Sequence, residues 1–536
     1  MTTDQPTPGG RRSRRERLKR REELAGAEDA PRPAAAPAET RPAAANLRGD
    51  LAGAAERPRY RYLSDAKIEV LKAKAIDLLA THGVFVNHAA MVAKLKAAGA
   101  SVGQDGIRVH IPAGLVADAL AETPKTTTLY SKAGRHDLEL PRADGTFHMR
   151  TGTGAHGYID PETGGHCKLT LDDARTMARL ADKLPEIGFI AHPFVNGVPE
   201  LTSDIHGFAA VAGLSEKHNW IQPYNAENVE YLLRIAAIAA GGEDALRARP
   251  VASCIACSFT PLEFKRMDVE AIMQSARAGI PIHACALPTA GGTAPITMPA
   301  TVLMAAAEIL AMVVMAHVAG PATPVIATPL IFALDVRTGR SLQSSAEALS
   351  GATMAIQLMK QGFGLMAHTY GAGSDTPDID GQSQAERALI MNQVALSGAD
   401  VLGGVGQLEC ATVFSPTQAV IDNELGAMMR HYLSVPAVDD DTLAWRQMLD
   451  VELGGHFLAD EHTLTHCRDN LDPGVFLRLA RDAYEDAGRP HALDAARDTV
   501  RALLAERIGD GAPTEDQRAA MAEVVAAADK HILKDR

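Results

Sequence analysis

The chain has 536 residues, 46% of them apolar and 22% charged, a composition that excludes disorder throughout and describes a globular protein with a large core. Its formal net charge of −13 excludes general nucleic-acid binding, which needs surplus Lys and Arg on the contacting face, and favours a small-molecule partner. The six cysteines are scattered too thinly for a disulfide framework and indicate a reducing compartment.

Residues 1–58 join a basic run, Arg11 to Arg21, to the Pro/Ala-rich stretch Pro31 to Ala45. Such a segment cannot bury enough apolar surface to order itself, so a solvated tail is expected, with RNA or an acidic partner as the alternative use of its arginines. No apolar run with a cleavage site follows the arginines, so a cytoplasmic protein is expected. Residues 59–146 read as an α+β cap. Ser64 precedes a helix carrying Ile68, Leu71, Ile76, Leu78 and Leu79, a second helix covers Ala89 to Ala98, and a third starts near Ala113. Thr126 to His148 then read as short strands with turns at Gly134 and Gly145.

From residue 147 to 434 the rhythm becomes strand then helix, eight times. The strands are expected at Phe147 to Thr151, Gly188 to Phe194, Asn219 to Tyr224, Val251 to Phe259, Pro281 to Pro288, Pro324 to Ile331, Gly364 to Gly371 and Val401 to Val405. The helices are expected at Leu171 to Leu184, Ser203 to Leu214, Ala226 to Ala240, Pro261 to Ala278, Pro299 to His317, Leu342 to Gln361, Gln382 to Ser397 and Pro416 to Leu433. Strands separated by helices are parallel, and eight such units close more naturally into a (β/α)8 TIM barrel than into the alternative, a doubly wound open sheet. Val302 to Gly320 approaches membrane-spanning length but contains Glu308 and His317 and lies between two strand-like runs, so a buried helix is expected. Residues 435–536 read as a C-terminal helical extension with helices at Thr442 to Gly454, Thr463 to Asn470, Pro473 to Ala487 and Ala492 to Ile508.

In such a barrel the active site lies at the carboxyl ends of the strands. Gly291 and Gly292 stand between a strand and a helix, where backbone amides could receive a substrate carboxylate or simply allow a tight turn. The loop after the seventh strand, His368 to Gln382, carries Asp375, Asp378 and Asp380, of which Asp380 could be a helix cap. Cys254 and Cys257 would point to opposite faces of one strand, so no metal site is expected there. No nucleophile elbow or P-loop is present.

The strings PTAGGTAPITMPATVLMAAAEILAMVVMAHVAGPATPVI, GAGSDTPDIDGQSQAERA, GVGQLECATVFSPTQAVIDNELGAMM and GGHFLADEHTLTHCR resemble trimethylamine methyltransferase family proteins, as does the YRYLSD start at Tyr60. The resemblance spans Tyr60 to Arg478 and implies a (β/α)8 barrel. Founding members carry pyrrolysine, which is written nowhere in this sequence. The chain looks more like relatives that demethylate quaternary amines such as glycine betaine and pass the methyl to the Co(I) of a separate corrinoid protein. The implied acceptor, a cobamide, comes from the partner, with no cofactor held tightly by this chain and a homo-oligomer expected.

A quaternary ammonium has no N–H to donate, so its recognition falls to aromatic faces and carboxylates, and its leaving group is a neutral amine that needs no acid. Phe194, Tyr224, Phe259, Phe332 and Tyr370 are therefore the candidate cage, Asp335, Asp375 and Glu409 the candidate counter-charges, and His368 a candidate for orienting a substrate carboxylate. No catalytic residue is assigned. A metal-dependent lyase or aldolase barrel and a non-catalytic binder of betaines or corrinoid protein are the rival readings.

Overall fold

The computed structural model describes residues 59–534, so the basic, Pro/Ala-rich tail expected over residues 1–58 lies outside the described residues. Eight parallel strands close in sequence order: β1 (His148–Thr151), β2 (Ile187–Ala191), β3 (His218–Ile221), β4 (Ala252–Cys257), β5 (Ile282–Ala286), β6 (Val325–Pro329), β7 (Met366–Tyr370) and β8 (Val401–Val405). Closure is made where Val401 of β8 pairs with His148 of β1, and it removes the open-sheet alternative. Most of these strands are buried along their whole length, as expected for parallel strands covered on both faces, and this is why they read as continuous apolar runs.

The covering helices are α1 (Leu171–Lys183), α2 (Ser203–Ala212), α3 (Asn228–Ala240), α4 (Arg266–Ala278), α5 (Met298–Ala319), α6 (Ala346–Gln357), α7 (Gly381–Leu396) and α8 (Pro416–Leu433). Their starts are written locally. Thr170 and Asp173 form a capping box on α1, and the side chains of Ser345, Asp380 and Ser415 accept backbone amides at the starts of α6, α7 and α8. Asp380 is thus the cap of α7. Helix α4 starts five residues later than its sequence suggests, because Glu263 and Phe264 pair in parallel with Phe85 and Val86 and stitch the cap to the barrel.

Helix α5 is long and apolar enough to cross a membrane, yet 72% of that stretch is buried within the protein. It packs between α4 and α6, under the cap helices Asp65–Thr81 and Ala113–Glu122. At the amino-terminal end of the barrel, the hairpin Thr127–Leu129 and Leu138–Leu140 places Leu129, Leu138 and Leu140 against inward-facing Phe189, Trp220, Ile326, Met366 and Val401, and so plugs that end.

Beyond α8 the helices are shorter than their pattern suggests: Trp445–Asp450, Glu461–His466 and Arg481–Asp486. Pro473 to Ala480 does not begin a helix; there the Gly474 amide docks onto Glu424 of α8. Ala492–Ala505 lies against α8 and α1, and a helix that periodicity alone passed over, Glu515–Ile532, lies against α3 and α2. Its signal was the capping box of Thr514 with Gln517.

Candidate active site

Strand alternation sends every second side chain of the barrel inward, and in such barrels these side chains stack in layers of four drawn from alternate strands. One layer is polar. It consists of Arg150 on β1, Trp220 on β3, His283 on β5 and His368 on β7, all fully buried. The Arg150 guanidinium carbon lies 4.3 Å over the Trp220 ring, Trp220 is 4.2 Å from His283 between ring centroids, and His283 is 5.5 Å from His368. Arg150 Nε donates to His368 Nε2 at 2.9 Å, which places the His368 proton on Nδ1, and Nη1 donates to the Thr151 carbonyl at 2.7 Å. His283 Nε2 shares the Ser253 hydroxyl with His218 Nε2, at 3.0 and 2.9 Å.

Burial sets the charge state of this layer. It lowers Arg150 to about 10, which leaves the guanidinium charged at neutral pH. The same burial, reinforced by the Arg150 charge, holds His283 and His368 well below the usual histidine range, so both are neutral. The layer therefore carries one positive charge, and no described carboxylate pairs with it.

Toward the carboxyl ends the inner wall is made of small residues, among them Ala191, Thr328 and Gly403. Ile255 and Cys257 of β4, which face inward, are partly solvent-exposed, while outward-facing Cys254 is buried against the helix layer. On β4 the inner wall at and above the polar layer is thus partly accessible to solvent. Gly403 is required on β8, since a Cβ on it would lie 2.8 Å from Arg150 Nη2 and 2.9 Å from His368 Nε2. Gly403→Ala is expected to destabilise the protein by about 1–3 kcal/mol through overpacking, read as a lowered midpoint in thermal denaturation.

The mouth is framed by two small sheets. One joins Gly157–Ile159 and His166–Lys168 to Gln407–Leu408 and Val413–Phe414; the other joins Thr289–Ala290, Phe332–Asp335 and Arg340–Leu342. Two aromatic pairs stand among these segments. Phe194 and Tyr224 stack at 4.3 Å with 16° between their planes, and Phe332 meets Tyr370 edge-on at 6.3 Å. Tyr370 is two residues beyond His368 on β7, hence one layer nearer the mouth on the same inward face.

Other candidates from the sequence are placed elsewhere. Phe259 is 53% exposed, and Lys265 Nζ sits 3.3 Å from its ring centroid, so the protein's own cation already occupies that face. Gly291 and Gly292 form an exposed turn whose amides bond to the carbonyls of Ala294 and Thr289, and α5 starts only at Met298; neither amide is free to meet an anion. Asp335 caps its own hairpin turn through the Arg337 amide and the Thr338 hydroxyl. Asp375 accepts the amides of Gln343 and Ser344, both at 2.9 Å, and ties the loops after β6 and β7 together. Glu409 lies 3.9 Å from Arg340 on the exposed rim. The structure therefore brings together His368, Tyr370 and Phe332, places the Phe194–Tyr224 pair at the mouth, engages Asp335 and Asp375 in loop hydrogen bonds, and leaves Glu409 on the rim near Arg340.

Arg150, Trp220 and His283 were not reached by a search confined to strand ends. A signal for them exists, because polar residues interrupt otherwise apolar strands at matching inward positions in FHMRT, HNWI, IHACA and MAHTY.

A closed parallel barrel with a buried cationic and aromatic layer below a loop-framed mouth has the architecture of a (β/α)8-barrel enzyme, whose active site lies at the carboxyl ends of the strands. A family model described as trimethylamine methyltransferase (MTTB) matches residues 33–529, and the chain belongs to that family of methyltransferases. It is 27% identical over 442 residues to the trimethylamine methyltransferase MttB of Desulfitobacterium hafniense, covering 82% of this chain and 88% of that one. It is 26% identical over 446 residues to a glycine betaine methyltransferase of the same species, covering 81% and 91%. Among solved structures it is similar to the monomethylamine methyltransferase of Methanosarcina barkeri, at 15% identity and a TM-score of 0.46, over 82% of this chain and 94% of that one.

Proposed function

We propose that this chain moves a methyl group from a small quaternary amine, such as a betaine, to the Co(I) of a corrinoid carried by a partner protein, and that it works in the cytoplasm as a homo-oligomer. The observation that carries the reading is the pairing of Phe332 with Tyr370 directly above a buried layer that holds no carboxylate, no acidic proton donor and one fixed charge. In the transfer the C–N bond breaks with its electron pair left on nitrogen, and the methyl carbon bonds to the acceptor. The departing amine is neutral and needs no proton, so the chain's task is to hold one methyl in line with the mouth and keep water out. Aromatic faces suit this task, since they attract the ammonium without competing for the methyl group. His283 and His368 supply the layer's neutral rings rather than an acid.

Purified protein incubated with Co(I)alamin and a panel of glycine betaine, proline betaine, carnitine and trimethylamine is expected to methylate the cobalt with at least one quaternary amine, read by absorbance. No spectral change with any amine would sink the reading and leave a binder. Tyr370→Ala is expected to weaken amine binding about tenfold, as loss of a desolvated cation–π contact would; calorimetric titration measures it, and unchanged affinity would remove Tyr370 from the cage.

A further inference from the structure

Past α8 the chain stops burying its own side chains. Between Leu433 and Val475 no residue is buried, although the stretch contains two short helices and many large apolar residues. Val438, Trp445, Leu449, Leu453, Leu458 and Leu464 stand open to solvent, Trp445 at 62% and Leu458 at 77%. More than half of the exposed large apolar side chains among the described residues fall between Met428 and Leu479, so the exposure is concentrated rather than scattered. Local bonds give the stretch its shape: the His462 ring donates to the Asp441 carbonyl at 3.0 Å, and the Asp439 carboxylate accepts the Thr442 amide at 2.9 Å. Among the described residues no hydrogen bond or ion pair ties residues 439–469 to the barrel.

Single exposed leucines are ordinary, but monomers rarely show apolar patches above a few hundred Å2. Side chains of this number and size present on the order of 1,000 Å2, against about 800 Å2 per partner in an interface of standard size. The outer face of α7 and α8, which pack side by side, adds exposed Leu389, Met428 and Tyr432 beside the root of the stretch. Helix α8 runs away from the mouth, and near its end Arg430 pairs with Glu186, just ahead of β2. Tyr432 and the root therefore lie at the end of the barrel opposite the mouth.

We propose that residues 434–474 form an arm that lies across the outer face of α7 and α8 of a second copy of this chain, covering Leu389, Met428 and Tyr432 there. The inference rests on the homo-oligomer proposed above and names its interface. A second copy fits better than a corrinoid carrier for two reasons. The carrier must reach the mouth, whereas the arm leaves the barrel at the other end. It must also depart after each transfer, and surfaces that part are more polar than permanent ones, which resemble a core cut in half. Because the patch adjoins the root of the arm, a two-fold axis near Tyr432 brings each arm onto the patch of the other copy, and the contact closes on itself.

The chain has two tryptophans, of which Trp220 is fully buried and Trp445 lies on the arm, so the difference between wild type and Trp445→Phe isolates the arm's fluorescence. In sedimentation velocity at micromolar concentration, wild type is expected to run as a dimer or a larger even-numbered assembly. Trp445 is expected to be shielded from acrylamide there and to become quenchable on dilution to the monomer. Leu449→Glu combined with Leu453→Glu is expected to weaken self-association at least about a hundredfold, as the loss of two anchoring side chains would. Val70→Glu, an equally exposed position on the cap helix Asp65–Thr81, is expected to leave the assembly intact. A wild-type monomer would overturn the arm and the homo-oligomer together. An assembly in which Trp445 stays fully quenchable, or one that survives the double variant, would overturn the arm alone. Dissociation by Val70→Glu to the same extent would overturn it too, by placing the interface on the cap. Cobalamin methylation on the same samples tests the reaction separately: no transfer in an assembly whose Trp445 is shielded removes the chemistry and supports the arm.

Discussion

Lowering the pH from 7 to 5 is expected to unfold the protein in one steep transition, driven by histidines that the fold holds neutral. Burial lowers His148 and His218 to about 3 and His192 to about 4, and holds His283 and His368 well below the usual range. Their partners explain why they stay: His148 Nε2 meets the Glu139 carbonyl at 2.9 Å and His218 Nδ1 the Tyr130 carbonyl at 3.1 Å, bonds that a neutral ring makes well. The sign follows from linkage. Below the unfolded value of about 6.5 the unfolded chain takes up protons that the folded chain refuses, so stability falls with pH until the folded values are reached. At pH 5 His148, His218 and His192 each cost about 2 kcal/mol, at about 1.4 kcal/mol per pH unit, and His283 and His368 act in the same direction. Carboxyls work in the other direction. Burial raises Asp204 and Asp268 to about 6, so the folded chain takes up their protons first, and each offsets about 1 kcal/mol at pH 5. Glu308, Asp375, Asp400, Asp422 and Glu424 are raised by burial too and offset in the same direction, against a histidine cost comparable to the whole stability of a typical protein, about 5–15 kcal/mol. Trp220 sits inside the layer that must open, so its fluorescence against pH follows the event. A midpoint below pH 4, or one unmoved in His218→Gln, would refute the assignment.

The fold was legible because the two periodicities that specify it are local. Continuous apolar runs such as VASCIAC and helices with Ser, Thr or Asp caps repeat eight times, and neighbouring repeats determine closure without long-range information. The layer of Arg150, Trp220, His283 and His368 is different in kind. Its members lie on four strands separated by some 60 to 85 residues, and only the shear of a closed barrel makes them neighbours. Reading the strand ends reached His368 and Tyr370 because they lie near a strand terminus; it passed over Arg150, which lies within the first strand, His148–Thr151. The acids are ambiguous in the sequence for a related reason. Asp335, Asp375 and Glu409 occupy mouth loops, as substrate-binding acids would, but a loop must also satisfy its own amides, and Asp335 and Asp375 are used for that. In the C-terminal extension Val475 and Leu479 carry helical spacing, yet Pro473 and the Gly474 bond to Glu424 keep that segment out of a helix.

Arg387→Met is expected to destabilise the protein by about 3–5 kcal/mol, the usual cost of removing one member of a buried ion pair, and to abolish methyl transfer with it. Arg387 on α7 is fully buried and donates to Asp422 Oδ2 on α8 at 2.8 Å, to the Ser383 hydroxyl at 3.1 Å, and to the carbonyls of Ala372 and Gln407. Asp422 in turn accepts the Gly406 amide at 2.7 Å and the Gln418 side chain at 2.9 Å. One ion pair thus holds the backbone leaving β7 and the backbone leaving β8, the two strands whose ends carry Tyr370 and Gly403 over the chamber. The methionine would strand the Asp422 carboxylate and two carbonyls in the interior together, which is why the effect is large although the side chain touches no substrate. Arg387→Met combined with Asp422→Leu removes the stranded charge, so the double variant is expected to be more stable than Arg387→Met alone, with an interaction energy of about 1–3 kcal/mol in the cycle. Urea denaturation of the four proteins measures that energy. Additive losses would mean that the pair acts as two separate packing groups, and full activity in Arg387→Met would mean that the loops after β7 and β8 hold the mouth without it.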